Sequence, residues 1–103
     1  MVQKDGDILK KIRVIEWLKA ELIGNVAELF KVFIKGTDQT ITDATVNVII
    51  ITNILARRMG IDFERIDAEV QKRLNQNIQQ GHEVEKWFGD LSAYAEYLKR
   101  TKR

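Results

Sequence analysis

Apolar residues recur at helical spacing from the start of the chain: Ile8, Ile12, Ile15, Leu18 and Leu22, followed by Val26, Leu29 and Phe33. Positions three and four apart share a helix face, so this pattern predicts a long first helix over about 7–35. A bend is expected near Gly24, because glycine inside a helix costs about 1 kcal/mol against alanine. The next segment, "ATVNVIIITNIL" (44–55), is almost continuous β-branched and aliphatic residue, interrupted only by Asn47 and Asn53. Its local composition favours a strand. Its length, and the helical spacing that continues through Leu55 and Ala56, favour a second helix, capped by Thr40 or Thr42 and ending at Met59. A helix apolar on most of its faces is a central one, covered on several sides. Buried amides need partners, so Asn47 and Asn53 are expected to hydrogen-bond between helices and to fix their register.

"GIDFERIDAEVQKRLNQNIQQG" predicts a third helix with Asp62 as its cap. "DLSAYAEYLKRTKR" predicts a fourth, capped by Asp90 and basic near its C-terminus. Gly36, Gly60, Gly81 and Gly89 fall at the expected breaks, and there is no proline. The fold class is all-α, a four-helix-type bundle. One domain over 1–103 is expected, with a short tail at 1–6 and a basic tail at 100–103. So small a chain cannot itself cover a helix as apolar as the second, which points to completion by a homodimer or a higher homo-oligomer.

Charge and composition narrow the classes of function. With 31% charged residues and a net charge of +2, basic and acidic side chains are interspersed, so indiscriminate nucleic-acid binding is not expected. The terminal "KRTKR" alone gives little more than nonspecific attraction to phosphate. No cysteine is present, which excludes disulfides, thiolate metal sites and cysteine nucleophiles. The apolar run is shorter than the roughly 20 residues a bilayer requires. No signal peptide is recognised, and a cytoplasmic protein without membrane partners is the expectation.

Candidate chemistry lies on the first two helices. Glu21, Asn25 and Glu28 follow i, i+4, i+7 spacing, and Asp43 and Asn47 follow i, i+4. Two such stripes facing each other would gather oxygen donors suited to a hard cation such as Mg²⁺. The simpler reading is a solvated face that meets the spacing by chance. His82, beside Gly81, fits a loop or packing role better than a ligand role. Trp17 and Trp87 could stack on a base, but tryptophan in a small bundle is usually core.

The order "AELIGNVAELFKVF", a short loop, then "DATVNVIIITNILARRMGID" resembles the MazG family of all-α nucleoside triphosphate pyrophosphohydrolases. In that family a helix bearing E-E-x-x-E-L precedes one bearing E-x-x-D, an apolar run and a closing L-G-I-D. The resemblance implies Mg²⁺-dependent cleavage of a nucleoside triphosphate to monophosphate and pyrophosphate, by a dimer. Carried over by residue, the resemblance keeps Glu28 as a metal-binding acid. It places Gly24 and Asn25 at the paired acids, Ala44 at the second motif's glutamate and Asn47 at its aspartate. Asparagine offers only a neutral oxygen, so the ordinary metal site is degenerate and activity is expected to be weak or lost. Glu21 and Asp43, each one turn from Asn25 and Asn47, are the candidate replacements, holding one displaced cation with Glu28. Lys72, Arg73 and Asn77 stand where the family often contacts nucleotide phosphate or base; an exposed helix face is their simpler reading. The alternative functions are a non-catalytic nucleotide-binding or regulatory helical dimer and, more remotely, a nucleic-acid accessory protein.

Overall fold

The computed structural model describes residues 2–81 and 83–101, the side chains of 2–5 excepted. Among these residues five helices occur in order: α1 (Val2–Lys35), α2 (Asp38–Arg58), α3 (Phe63–Gln79), α4 (Glu83–Phe88) and α5 (Asp90–Thr101). No strand occurs among the described residues, so the all-α expectation holds. The helices belong to two compact units, Met1–Asp62 and Phe63–Arg103.

In the first unit α1 packs against α2. Only Gly36 and Thr37 separate the two helices, and so short a connection makes them antiparallel neighbours. The turn depends on both residues. Thr37, not Thr40 or Thr42, is the N-cap of α2: its hydroxyl accepts the Thr40 N–H at 3.2 Å. The Thr40 hydroxyl in turn accepts the Thr37 N–H at 2.9 Å, a capping box with threonine where glutamate is usual. Thr42 serves a different purpose, donating to the Asp38 carbonyl at 2.8 Å within the helix. Gly36 is required by space. A Cβ there would lie 2.6 Å from the Thr40 hydroxyl oxygen and 2.8 Å from Val32 Cβ.

Two predicted features of α1 differ. It starts at Val2, so residues 2–6 are helical where a tail was expected, and it runs through Gly24 without a break. With 34 residues in one helix, a single glycine costing about 1 kcal/mol is outweighed by propagation on either side.

The end of α2 is closed by "MGI". The Ile61 N–H reaches the Ala56 carbonyl and the Gly60 N–H the Arg57 carbonyl, each at 3.0 Å. This crossed pair is a Schellman motif, and it needs the left-handed backbone that Gly60 adopts at φ 94°.

The buried apolar residues are Leu18 of α1, Ala44 of α2 and Leu74 of α3. Leu18 and Ala44 are 3% and 4% exposed. Neither asparagine of α2 fixes the register of the helix pair. Asn53 turns its amide back onto the Ile49 carbonyl of its own helix at 2.9 Å. Asn47 is exposed and makes no hydrogen bond among the described residues. The expected cross-helix bonds from these asparagines are therefore absent among the described residues. Amides four residues along a helix find a carbonyl locally, without a neighbour.

In the second unit α5 packs on both α3 and α4. The helix expected to begin with Asp90 as cap instead has Asp90 inside it: Gly89 stands at the cap and its carbonyl accepts the Ala93 N–H at 3.0 Å. The six-residue α4, which periodicity does not announce, supplies the side chain that closes α5. Glu85 accepts the Ser92 N–H at 3.0 Å and the Ser92 hydroxyl. Trp87, like Trp17 in the first unit, is exposed rather than core. His82 lies outside the described residues, as do Lys102 and Arg103 of the basic tail.

Candidate functional site

The α1–α2 hairpin sets which candidate residues can meet. In an antiparallel pair, residues equidistant from the turn lie level with one another. Counting from Gly36–Thr37 puts Glu28 near Thr45, Asn25 near Val48 and Asn47 near Val26. Glu28, Asn25 and Asn47 thus fall within about one turn of each other, roughly 5 Å along the axis. Asn25 is half-buried, while Glu28 and Asn47 are exposed.

Glu21 and Asp43 do not meet each other, although Asp43 stands two residues from the level of Glu28, about 3 Å along the axis. Each lies one turn towards its own helix's N-terminus, and in an antiparallel pair those displacements run in opposite directions. Glu21 is level with Thr52, about nine residues beyond Asp43 on α2, or about 13 Å along the axis. The half-buried Glu21 therefore cannot share one cation with Asp43 and Glu28 across this hairpin. Asp43 instead accepts the Gln39 amide at 2.8 Å on the surface of α2. Among the described residues, no group of three or more histidine, aspartate or glutamate side chains is placed to hold a metal ion.

Ala44 has a further effect. Its methyl group fills the contact between α1 and α2, where a carboxylate would be desolvated against apolar neighbours. Within one turn of Glu28 the hairpin offers at most two carboxylates, Glu28 and Asp43, with two neutral amides. Mg²⁺ binds through carboxylates and phosphate oxygens, and among the described residues no group of three acids is placed to hold it.

The proposed nucleotide-contacting residues all lie on α3. Arg73 is held by Glu69 of the same helix at 3.2 Å, Lys72 is exposed, and Asn77 is half-buried. Arg73 and Glu69 border a groove of about 300 Å³ with Ile66, Val70 and Leu74. An exposed i, i+4 pair of this kind contributes about 0.3–0.5 kcal/mol, so Arg73 is only lightly committed to it.

The helical hairpin and the Schellman turn that closes its apolar second helix belong to an all-α protein. A family model described as the MazG-like family matches residues 8–91, most of the chain, and the protein belongs to that family. No curated protein and no solved structure matches the chain. At its coarsest, the family match suggests the nucleoside triphosphate pyrophosphohydrolase superfamily.

Proposed function

We propose that this chain is a dimeric MazG-like protein whose nucleoside triphosphate pyrophosphohydrolase activity is weak or lost. One observation supports the reading: at the family's acid positions this chain keeps Glu28 but has Asn25 and Asn47, and among the described residues no group of three or more acids is placed to hold a metal ion. Metal-assisted hydrolysis requires charge neutralisation at the phosphates and an activated water. A single carboxylate with two amides supplies neither well. A non-catalytic nucleotide-binding or regulatory dimer is the second reading, favoured by the polar residues retained at these levels and by Lys72, Arg73 and Asn77 on α3.

Dimerisation is supported by exposed apolar surface. Ile23 and Ile34 of α1 are 73% and 82% exposed, and Phe30, Phe33, Val46, Ile49 and Ile50 are also exposed. At about 25 cal/mol per Å² of apolar surface removed from water, a second copy seated on such residues would gain stability that one chain leaves unused. A pocket completed by two copies also gives the exposed Asn47 a neighbour that one chain lacks.

The test is pyrophosphate release from canonical and modified nucleoside triphosphates, with binding of the same nucleotides measured in parallel. Binding with negligible release supports the reading of lost activity. Brisk release, abolished by Glu28→Gln, would overturn it.

A further inference from the structure

We propose that a cleft at the open end of the α1–α2 hairpin, lined by Asp7, Lys10, Lys11, Val14 and Arg58, binds a phosphate group on a small soluble ligand. The cleft encloses about 200 Å³. Its cations come from two helices far apart in sequence, Lys10 and Lys11 from the start of α1 and Arg58 from the last turn of α2. Asp7 is the one carboxylate in the lining, so three cations face one anion. Arg13 stands beside them, lining a second groove of about 370 Å³ that shares Lys10.

These charges are unspent. Among the described residues, none of Lys10, Lys11, Arg13 and Arg58 forms an ion pair, whereas Lys19 pairs with Glu16 and Arg73 with Glu69. Three cations with one carboxylate among them leave an excess of positive charge, and an anion of two charges relieves the resulting repulsion. A guanidinium presents a fork that matches two phosphate oxygens, and lysine adds compact point charges. The negative end of α2 accounts for one cation at Arg58. It does not account for Lys10 and Lys11 on the facing helix.

The chemistry favours a small ligand over a nucleic acid strand. A strand is tracked by an extended basic groove, whereas acids return to α1 at Glu16, Glu21 and Glu28. The cleft is also separate from the level of Glu28. Arg58 lies eleven residues past Asn47 on α2, about 16 Å along the axis.

Inorganic phosphate is the probe, titrated into ¹⁵N-labelled full-length protein in EDTA, with chloride matching the ionic strength. EDTA removes any contribution from a divalent metal, so the result is independent of the MazG-like reading. Saturable amide shifts confined to residues 7–14 and around Arg58 are expected. Lys11→Gln and Arg58→Gln should each weaken binding about tenfold, and Glu28→Gln should leave it unchanged. All three side chains are exposed, so these variants should keep the fold, which circular dichroism will verify. Shifts reproduced by chloride alone, or surviving both substitutions, would overturn the proposal. So would tighter binding of a short single-stranded oligonucleotide that the same substitutions leave intact.

Discussion

The carboxylate of Glu85 in α4 accepts both the backbone N–H of Ser92, at 3.0 Å, and the Ser92 hydroxyl, tying the first turn of α5 to the helix before it. A carboxylate suits this place because the first N–H groups of a helix have no partner within it and carry partial positive charge. The Ser92 hydroxyl, then the Ser92 N–H, hold the Glu85 carboxyl below the ordinary value of 4.5. Slight desolvation acts against them, and the Leu91 N–H adds a smaller lowering.

A carboxyl lowered in the folded state contributes stability above its unfolded value, and that contribution is lost as pH falls through the folded value. Protection of the Ser92 amide, its exchange rate divided into that of the unstructured chain at the same pH, should therefore be highest at neutral pH and fall as pH drops below the ordinary carboxyl value. Glu85→Gln should lower that protection at neutral pH and remove its dependence on pH. Identical acid profiles in the two proteins would contradict the role given to Glu85.

The two glycines of the hairpin make a paired prediction. Gly36→Ala drives a Cβ against Val32 and Thr40, so chemical denaturation should show a loss of about 1–3 kcal/mol. Gly24 has nothing within 4 Å of where its Cβ would stand, and it lies inside a helix. Gly24→Ala should stabilise by about 0.5–1 kcal/mol. Equal effects of the same sign would show that the turn does not depend on close approach at Gly36.

Restoring acids should separate the family's positions by burial. Asn25→Glu with Asn47→Asp adds two carboxylates at the level of Glu28, on half-buried and exposed positions, and calorimetry should show tighter Mg²⁺ binding. Ala44→Glu puts a charge into the α1–α2 contact and should cost about 3 kcal/mol or more. If the double variant binds Mg²⁺ no better than wild type, the register linking Asn25, Glu28 and Asn47 is wrong.

Sedimentation equilibrium at micromolar concentration should give about twice the 12.0 kDa chain mass. Ile50→Lys and Ile34→Asp, both on exposed apolar positions, should shift the protein towards monomer. A wild-type monomer under these conditions would remove the dimer from the proposal.

The helices and their glycine stops were legible because amphipathic spacing is a local property. Ile8 through Phe33 announced α1, and Gly60 in "RRMGID" announced the end of α2. What failed depends on how side chains choose among nearby backbone groups. Thr37, Thr40 and Thr42 are all plausible caps by type, and only the tight turn at Gly36 selects Thr37. Asn53 was read as a bond between helices, yet a carbonyl of its own helix lies closer. The Glu85–Ser92 cap spans seven residues across a glycine break, a spacing that no helical periodicity encodes. At the candidate site, helix spacing took no account of the opposite directions of two antiparallel helices, which carry Glu21 away from Asp43 while leaving Asp43 close to the level of Glu28.

The most direct measurement is pyrophosphate release by the purified protein, given a panel of canonical and modified nucleoside triphosphates with Mg²⁺ or Mn²⁺. Glu28 with two amides predicts turnover close to the uncatalysed background, unchanged in Glu28→Gln. Rapid release that Glu28→Gln abolishes would contradict it, and would mean that this site assembles a working metal centre.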